Sequence, residues 1–439
     1  MPFHIVIAGD FAGANPERPQ KPLEVDRDNL EAVLARVRPR IELPLAGGDG
    51  KPLSLEISDL ESFHPDRLYR RLPLFEAIRA TVTAEPEPPG PPPAAAPAPA
   101  APAKPAGGGF LDDILASTEE RYSSAPPAPA RGEWDEALHR IATTHAQPKQ
   151  SAQQERREAD ARKASTVVMR AILHSPQFRT VENAWRGVDF VTRRVDTDSD
   201  IRIHLLDISK AHLAARLSKA ADDEWSVLLA NYTFGPGDAD ISTLRGIAQA
   251  GAGIGVPVIA AAHPMLLGCE SASDLSDPPE WRELPVGTRN AWNALRRSTD
   301  AAWIGLILPR VLMRLPYGAE SSPCEEFPFE EMDSHVALGD LAWASPVFAC
   351  AALLGQSWTD FGEAGAGRDL DGMLSWSWRE GGESRFQPAG EALLSDRAAE
   401  AILDRGLIPL LSSKYGGEIR IPRFQSLADP PVTLEFPGE

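Results

Sequence analysis

Residues 201–264 read IRIHLLDISKAHLAARLSKAADDEWSVLLANYTFGPGDADISTLRGIAQAGAGIGVPVIAAAHP, and they decide the fold. Apolar residues alternate at Ile201, Ile203 and Leu205, the two-residue period of a strand. Leu213 and Leu217 follow at helical spacing, so KAHLAARLSKAADD is predicted to be a helix. WSVLLANYTF and VPVIAAAHP are continuous apolar runs, as expected of strands buried on both faces. Between them DADISTLRGIAQAGAGIG reads as a second helix, with Asp238 and Asp240 near its start. Strands alternating with helices imply an α/β fold with a helix-covered mixed sheet, at least partly parallel.

Outward from this core the chain divides into three parts. Residues 1–83 form a small α+β block. FHIVIAGDF is a strand, and Asp26 is placed to cap the helix RDNLEAVLARV, whose Leu30, Val33, Leu34 and Val37 share a face. RIELPL and LSLEI read as strands joined through Gly47, Gly48, Asp49 and Gly50. A helix after Pro65 turns Leu68, Leu72 and Phe75 inward. So small a block is expected to lean on something larger. Residues 84–131 are a Pro/Ala/Gly linker interrupted by a short helix at 110–122. Phe110, Leu111, Ile114 and Leu115 lie on one face of it, as a docking peptide or as a piece that packs back on the body.

Residues 132–431 form the large part. It is helical up to Val195, with a break before Pro176 and with Trp185, Val188 and Val191 on one face. After the core come the helix NAWNALRR, the strand WIGLILP and the segment carrying Arg310, Arg314 and Tyr317. Glu325, Glu326, Glu330 and Glu331 read as a solvated acidic loop. An apolar helix follows Pro346, and then a helix, a strand and a hairpin through Gly416 and Gly417.

A net charge of −19 and a pI near 5.0 argue against nucleic acid and against anionic membrane surfaces. No apolar run approaches the ~20 residues of a spanning helix, and MPFHIVIAGDF lacks the features of a secretory signal. Cys269, Cys324 and Cys350 are sparse and unpatterned, which suggests reduced, buried thiols in a cytosol.

Tests for chemistry return little. The glycines of GAGIGV end a helix and precede a strand, the reverse of a dinucleotide loop. GDFAG has no P-loop lysine. His64 and Asp66 suit a helix start, and His263 suits a turn before Pro264. No cofactor or metal is expected. The tryptophans Trp185, Trp225, Trp292, Trp303 and Trp343 read as core.

Several segments carry a resemblance in register. PFHIVIAGDFAG, VDRDNLEAVLARVRPRIELPL and DLESFHPDRLYRRLPLFEAIR resemble the small subunit of the type VI secretion contractile sheath. FLDDILA, ILHSPQFRTVENAWRGVDFVTRRVDT, YTFGPGDADISTLRGIAQAG, ALRRSTDAAWIGLILPRVLMRLPYG and GLIPLLSSKYGGEIRIPRFQSL resemble the large subunit, in its order. The resemblance implies a fusion of the two subunits in a structural family with no catalytic residue. It implies a cytoplasmic protein whose partners are other sheath subunits, with the inner tube, the baseplate and a recycling AAA+ ATPase as further partners. Phe110 to Ala116 match the position that docks the ATPase. The small-subunit resemblance ends near Ala80 and the large-subunit one near Leu427, short of the strands that lace subunits together.

Three expectations follow. The first is a fused structural component of the sheath. The second is a non-polymerising cap or assembly regulator of sheath or baseplate. The third is an α/β enzyme reusing the fold, with His263, Glu330 and Asp300 as first suspects. Trp185, Arg186, Arg310, Arg314 and Tyr317 are the candidates for holding the core and the contact with the small block.

Overall fold

The computed structural model describes residues 2–19, 21–46, 52–83, 150–198, 200–221, 223–333 and 336–436. The linker at 84–131, its helix with Phe110, Leu111, Ile114 and Leu115, the turn at 47–50 and the residues from Pro437 onward lie outside the described residues.

The first block contains β1 (Phe3–Gly9), β2 (Leu23–Val25), α1 (Leu30–Val37), β3 (Arg40–Ala46), β4 (Pro52–Glu56), α2 (Pro65–Arg71) and α3 (Pro73–Thr83). Next come α4 (Gln150–Leu173), α5 (Pro176–Thr192), β5 (Ile201–Asp207), α6 (Leu213–Leu217), β6 (Val227–Phe234), α7 (Asp238–Ile254), β7 (Val258–Ala262), α8 (Val286–Arg296) and β8 (Ile304–Leu308). The rest holds β9 (Val311–Arg314), β10 (Ala342–Ala344), α9 (Val347–Phe361), β11 (Asp369–Leu370), β12 (Trp376–Glu380), β13 (Glu383–Gln387), α10 (Asp396–Asp404), β14 (Ile408–Pro409), β15 (Leu411–Ser412) and β16 (Ile419–Arg420).

Seven strands make one sheet in the order β14-β8-β7-β6-β1-β5-β2. All neighbours are parallel except β2, which runs antiparallel along β5. The first strand of the chain therefore sits deep in the sheet. It pairs Phe3 with Ile201 through Gly9 with Asp207 on one side, and Ile5 with Val227 through Ala8 with Ala230 on the other. A parallel strand needs a crossover to reach its neighbour, so β1 can join β5 only through an intervening stretch that contains the linker.

Alternation along β1 sends side chains to two cores. Phe3, Ile5 and Ile7 join one with Ile203, Leu229 and Ile307, covered by α5 and α9. Val6 and Ala8 join the other with Leu228, Ala260 and Leu306, covered by α6, α7, α8 and α10. The first core continues without a break into Leu34, Phe63, Leu68 and Phe75 of the first block.

α5 starts where the sequence places it. The Ser175 hydroxyl accepts from the N–H of Phe178 at 3.2 Å and Pro176 occupies the first turn. Its buried stripe is Phe178, Val181, Trp185, Val188 and Val191. Gly187 lies where α5 meets α9. A Cβ there would stand 2.4 Å from the ring of Phe348, so the two helices can approach only over glycine.

Some expectations are corrected. Helix α1 begins at Leu30, because Asp26 spends its carboxylate on the N–H groups of Asp28 and Asn29 one turn earlier. The helix expected over KAHLAARLSKAADD is a 3-10 turn at Lys210–His212 followed by the short α6, since the chain must turn back into β6. Cys269 and Cys350 are buried, whereas Cys324 is only partly so. Trp185, Trp225, Trp292 and Trp343 are core, and Trp303 is half-buried.

Candidate functional site

Two polar junctions join the first block to the rest. The first lies at the carboxyl end of β1 and β5, the side of a parallel sheet where α/β proteins hold ligands. Here the chain's own loop occupies it. Asp207, at the end of β5, accepts from the N–H groups of Phe11 at 2.8 Å and Ala12 at 3.1 Å. Arg18 crosses above, pairing with Asp207 at 3.2 Å and Asp10 at 2.9 Å, and donating to the carbonyl of Gly13 at 2.7 Å. Burial raises the pKa of Asp207, against the N–H donors and the Arg18 charge. Beneath this loop the indole N–H of Trp185 donates to the carbonyl of Phe11 at 3.0 Å, with the two rings edge to face at 5.7 Å.

The second junction is a buried ion cluster. Arg314, on β9, donates Nε to Glu182 of α5 at 2.9 Å and holds Glu331 with Nη1 at 2.6 Å and Nη2 at 3.0 Å. Glu182 is 0% exposed and Glu331 2%. Arg186, one turn after Glu182, donates to it at 2.9 Å and to the Tyr317 hydroxyl at 2.9 Å. The Arg314 guanidinium also stacks 4.3 Å over the Tyr317 ring. Burial opposes the charges of Arg186, Arg314 and Glu331. It is outweighed: Arg314 is held well above its ordinary pKa by the two carboxylates. Glu331, which burial alone would raise, is brought down to about 2 by Arg314, by His174 and by the N–H of Tyr317.

The first block reaches this cluster through α2. The His64 ring lies edge-on to Tyr317 at 4.9 Å and its Nδ1 caps α2 by accepting from the N–H of Asp66. Asp66 in turn accepts from the N–H groups of Glu325 and Glu326, each at 3.0 Å, across 259 and 260 residues of chain. Tyr69 stacks on Phe327 at 4.4 Å. The reading of 325–331 as a solvated acidic loop is corrected at Glu331, which is buried; Glu325, Glu326 and Glu330 are exposed, on main chain pinned to α2.

Trp185, Arg186, Arg314 and Tyr317 are thus brought to the two junctions. Arg310 stands apart, exposed just before β9 and forked onto Glu391. Glu182, Asp207 and Arg18 are missed by sequence reasoning, which places Asp66 only at a helix start and Glu331 only in a solvated loop. Glu182 and Arg186 do carry the four-residue spacing of a helical ion pair. His263 caps the turn after β7 through the N–H of Met265. Glu330 accepts from the N–H of Ala319, eleven residues earlier, and Asp300 from the Thr299 hydroxyl beside it. Among the described residues, no three His, Cys, Asp or Glu are grouped to share a metal ion.

One further feature faces outward. β12 and β13 form a hairpin over the tight turn at Gly381 and Gly382, with Trp376 and Trp378 stacked at 4.6 Å on one face and Phe386 exposed on the other. Among the described strands none pairs with either of its edges. Such edges are templates for an added strand.

Residues 161–227 and 222–427 match the family described as EvpB/VC_A0108, tail sheath N-terminal domain. This is more than half of the chain. The chain belongs to the type VI secretion sheath family. Residues 1–82 match a second description, type VI secretion system, VipA, VC_A0107 or Hcp2. The two matches divide the strands by sequence, β1 and β2 in one and β5 to β8 in the other, while in the sheet β1 lies between β5 and β6. A curated relative, the type VI secretion system sheath protein TssC1 of Pseudomonas aeruginosa, is 30% identical over 280 residues, 57% of this chain and 56% of that protein. The chain thus spans little more than half the length of the relative it matches. No helix among the described residues is long and apolar enough to cross a membrane.

Proposed function

We propose that this chain is a structural component of a type VI secretion contractile sheath, in which one polypeptide supplies both the small-subunit and the large-subunit fold. The observation that carries the reading is the seat of β1. The part matched as small subunit supplies an inner strand to the sheet of the part matched as large subunit. Residues 1–83, the linker at 84–131 and the large part at 132–431 would then correspond to small subunit, tether and large subunit. A covalent tether raises the local concentration of β1 at its partner strands.

The work is done by surfaces meeting surfaces, in the cytoplasm, with no chemical step. Other sheath subunits are the first partners, and the unpaired edges of the β12–β13 hairpin are where a neighbour's strand can add. The inner tube and the baseplate are further partners. A recycling AAA+ ATPase is a third, through Phe110, Leu111, Ile114 and Leu115; an Ile114→Asp chain should lose that binding and keep its fold.

Sedimentation and electron microscopy of the purified chain, alone and mixed with authentic small and large sheath subunits, test the proposal. Tubes, or this chain within the sheath wall, are the expected result. A chain bound only at sheath ends would fit a cap or regulator instead. A chain that neither assembles nor binds sheath would refute both.

A further inference from the structure

The strongest unassigned feature is a cleft on the second face of the sheet, between α8, the turn after β7 and the end of α10. Its charge is opposite to that of the chain, which carries −19 overall. Four arginines, Arg282, Arg289, Arg296 and Arg405, line it with a single carboxylate, Glu283. Two of the four are balanced at the rim: Arg282 pairs with Glu270 at 2.5 Å, and Arg289 pairs with Glu283.

Arg296 and Arg405 are different. Arg296 is 9% exposed. It donates Nε to the carbonyl of Leu427 at 3.0 Å and Nη2 to that of Ala428 at 3.4 Å. Arg405 donates Nη1 to the carbonyl of Leu267 at 3.3 Å and stacks 4.7 Å over Trp281. Among the described residues no carboxylate pairs directly with either guanidinium. Carbonyls orient the two forks but cancel no charge, and among the described residues most of their N–H groups have no acceptor. Arg405 is exposed, whereas Arg296 is a buried charge without a counter-charge, which is costly. Burial accordingly lowers the pKa of both, opposed only by Asp429 acting on Arg296 and Cys269 acting on Arg405.

The backbone is shaped around this arrangement. Gly406 has φ +77°, a conformation that favours glycine, and a Cβ there would stand 2.9 Å from Nη2 of Arg296 and 3.1 Å from the carbonyl oxygen of Leu427. Leu284, Trp292 and Leu407 give the cleft an apolar wall, and its volume is about 220 Å³. That is below the ~300–1,000 Å³ of pockets for drug-sized ligands, and suits a compact anion.

We propose that this cleft is a binding site for a small oxyanion, a phosphate or a short dicarboxylate, held by the forks of Arg296 and Arg405. Planar guanidinium forks match both oxyanion geometries. The bound anion supplies the missing counter-charge and ties α8 to α10. The inference does not depend on the sheath reading.

The test is calorimetric titration and thermal melting of the whole chain at fixed ionic strength, with phosphate, pyrophosphate and succinate as probes and chloride as reference. The expected result is saturable binding of at least one probe, with a matching rise in Tm. Affinity should fall at least tenfold in Arg405→Met. Should that variant fail to fold, the exposed rim change Arg289→Glu must also weaken binding, by several-fold. Tighter binding of pyrophosphate would assign the site to phosphates, and tighter binding of succinate to dicarboxylates. No saturable binding of any probe, a rise in Tm given equally by chloride, or affinity unchanged in both variants would overturn the proposal.

Discussion

The indole N–H of Trp185 binds the main-chain carbonyl of Phe11 at 3.0 Å, across 174 residues of sequence. One partner belongs to the helix that covers the sheet, the other to the loop that leaves its inner strand. Trp185→Phe keeps an aromatic ring but removes the pyrrole part of the indole with its donor, leaving a small void and a buried carbonyl with one partner fewer. It should cost about 1–3 kcal/mol. Trp185→Ala adds a cavity and should cost about 3–5 kcal/mol. Urea unfolding followed by circular dichroism measures both.

The two arginines that bracket β9 should behave oppositely. Arg314→Met leaves Glu182 with Arg186 alone and Glu331 with only the Tyr317 N–H and His174, both still buried, and should destabilise by about 3–5 kcal/mol. Arg310→Ala breaks a pair at the surface and should cost no more than about 1 kcal/mol. Equal losses in the two variants would contradict the placement of the ion cluster at the buried junction.

Acid should weaken the fold in two stages. His4 of β1 and His204 of β5 stack with ring centroids 5.3 Å apart. Burial lowers the pKa of both from 6.5, each opposed by Glu24, with Glu224 acting further on His4 and Asp223 on His204; Arg202 reinforces the lowering at both, as His4 does at His204. The unfolded chain therefore takes up protons first, and stability should fall as pH drops through about 6.5. Above that pH these two groups add no slope. Glu331 acts lower: its stabilisation is complete above the ordinary carboxylate value of 4.5 and is lost as pH falls toward about 2. Denaturation midpoints should decline between about pH 7 and pH 5, and the decline should be shallower in His204→Gln.

The core was legible because strands buried on both faces leave continuous apolar runs. Val227–Phe234 and Val258–Ala262 appear where WSVLLANYTF and VPVIAAAHP place them. The stripe of Trp185, Val188 and Val191 was legible for the same reason: one face of a helix must be apolar. The hairpin at 376–387 passed unnoticed although Gly381-Gly382 between alternating residues signals it. The seat of β1 was not legible, since a strand's own residues do not name its neighbours. Nor was the burial of Glu331. An acidic residue in an acidic run reads as solvated, and only the fold brings Arg314 of β9 and His174 at the end of α4 to it.

The central claim is that the first block is an integral part of the sheet and not a tethered appendage. Cutting the linker tests it most directly. A protease site placed within residues 90–105 should, after complete cleavage, leave the two fragments together through gel filtration at low concentration, with the circular dichroism of the intact chain. Separation of a folded large fragment from a free small one would contradict the account.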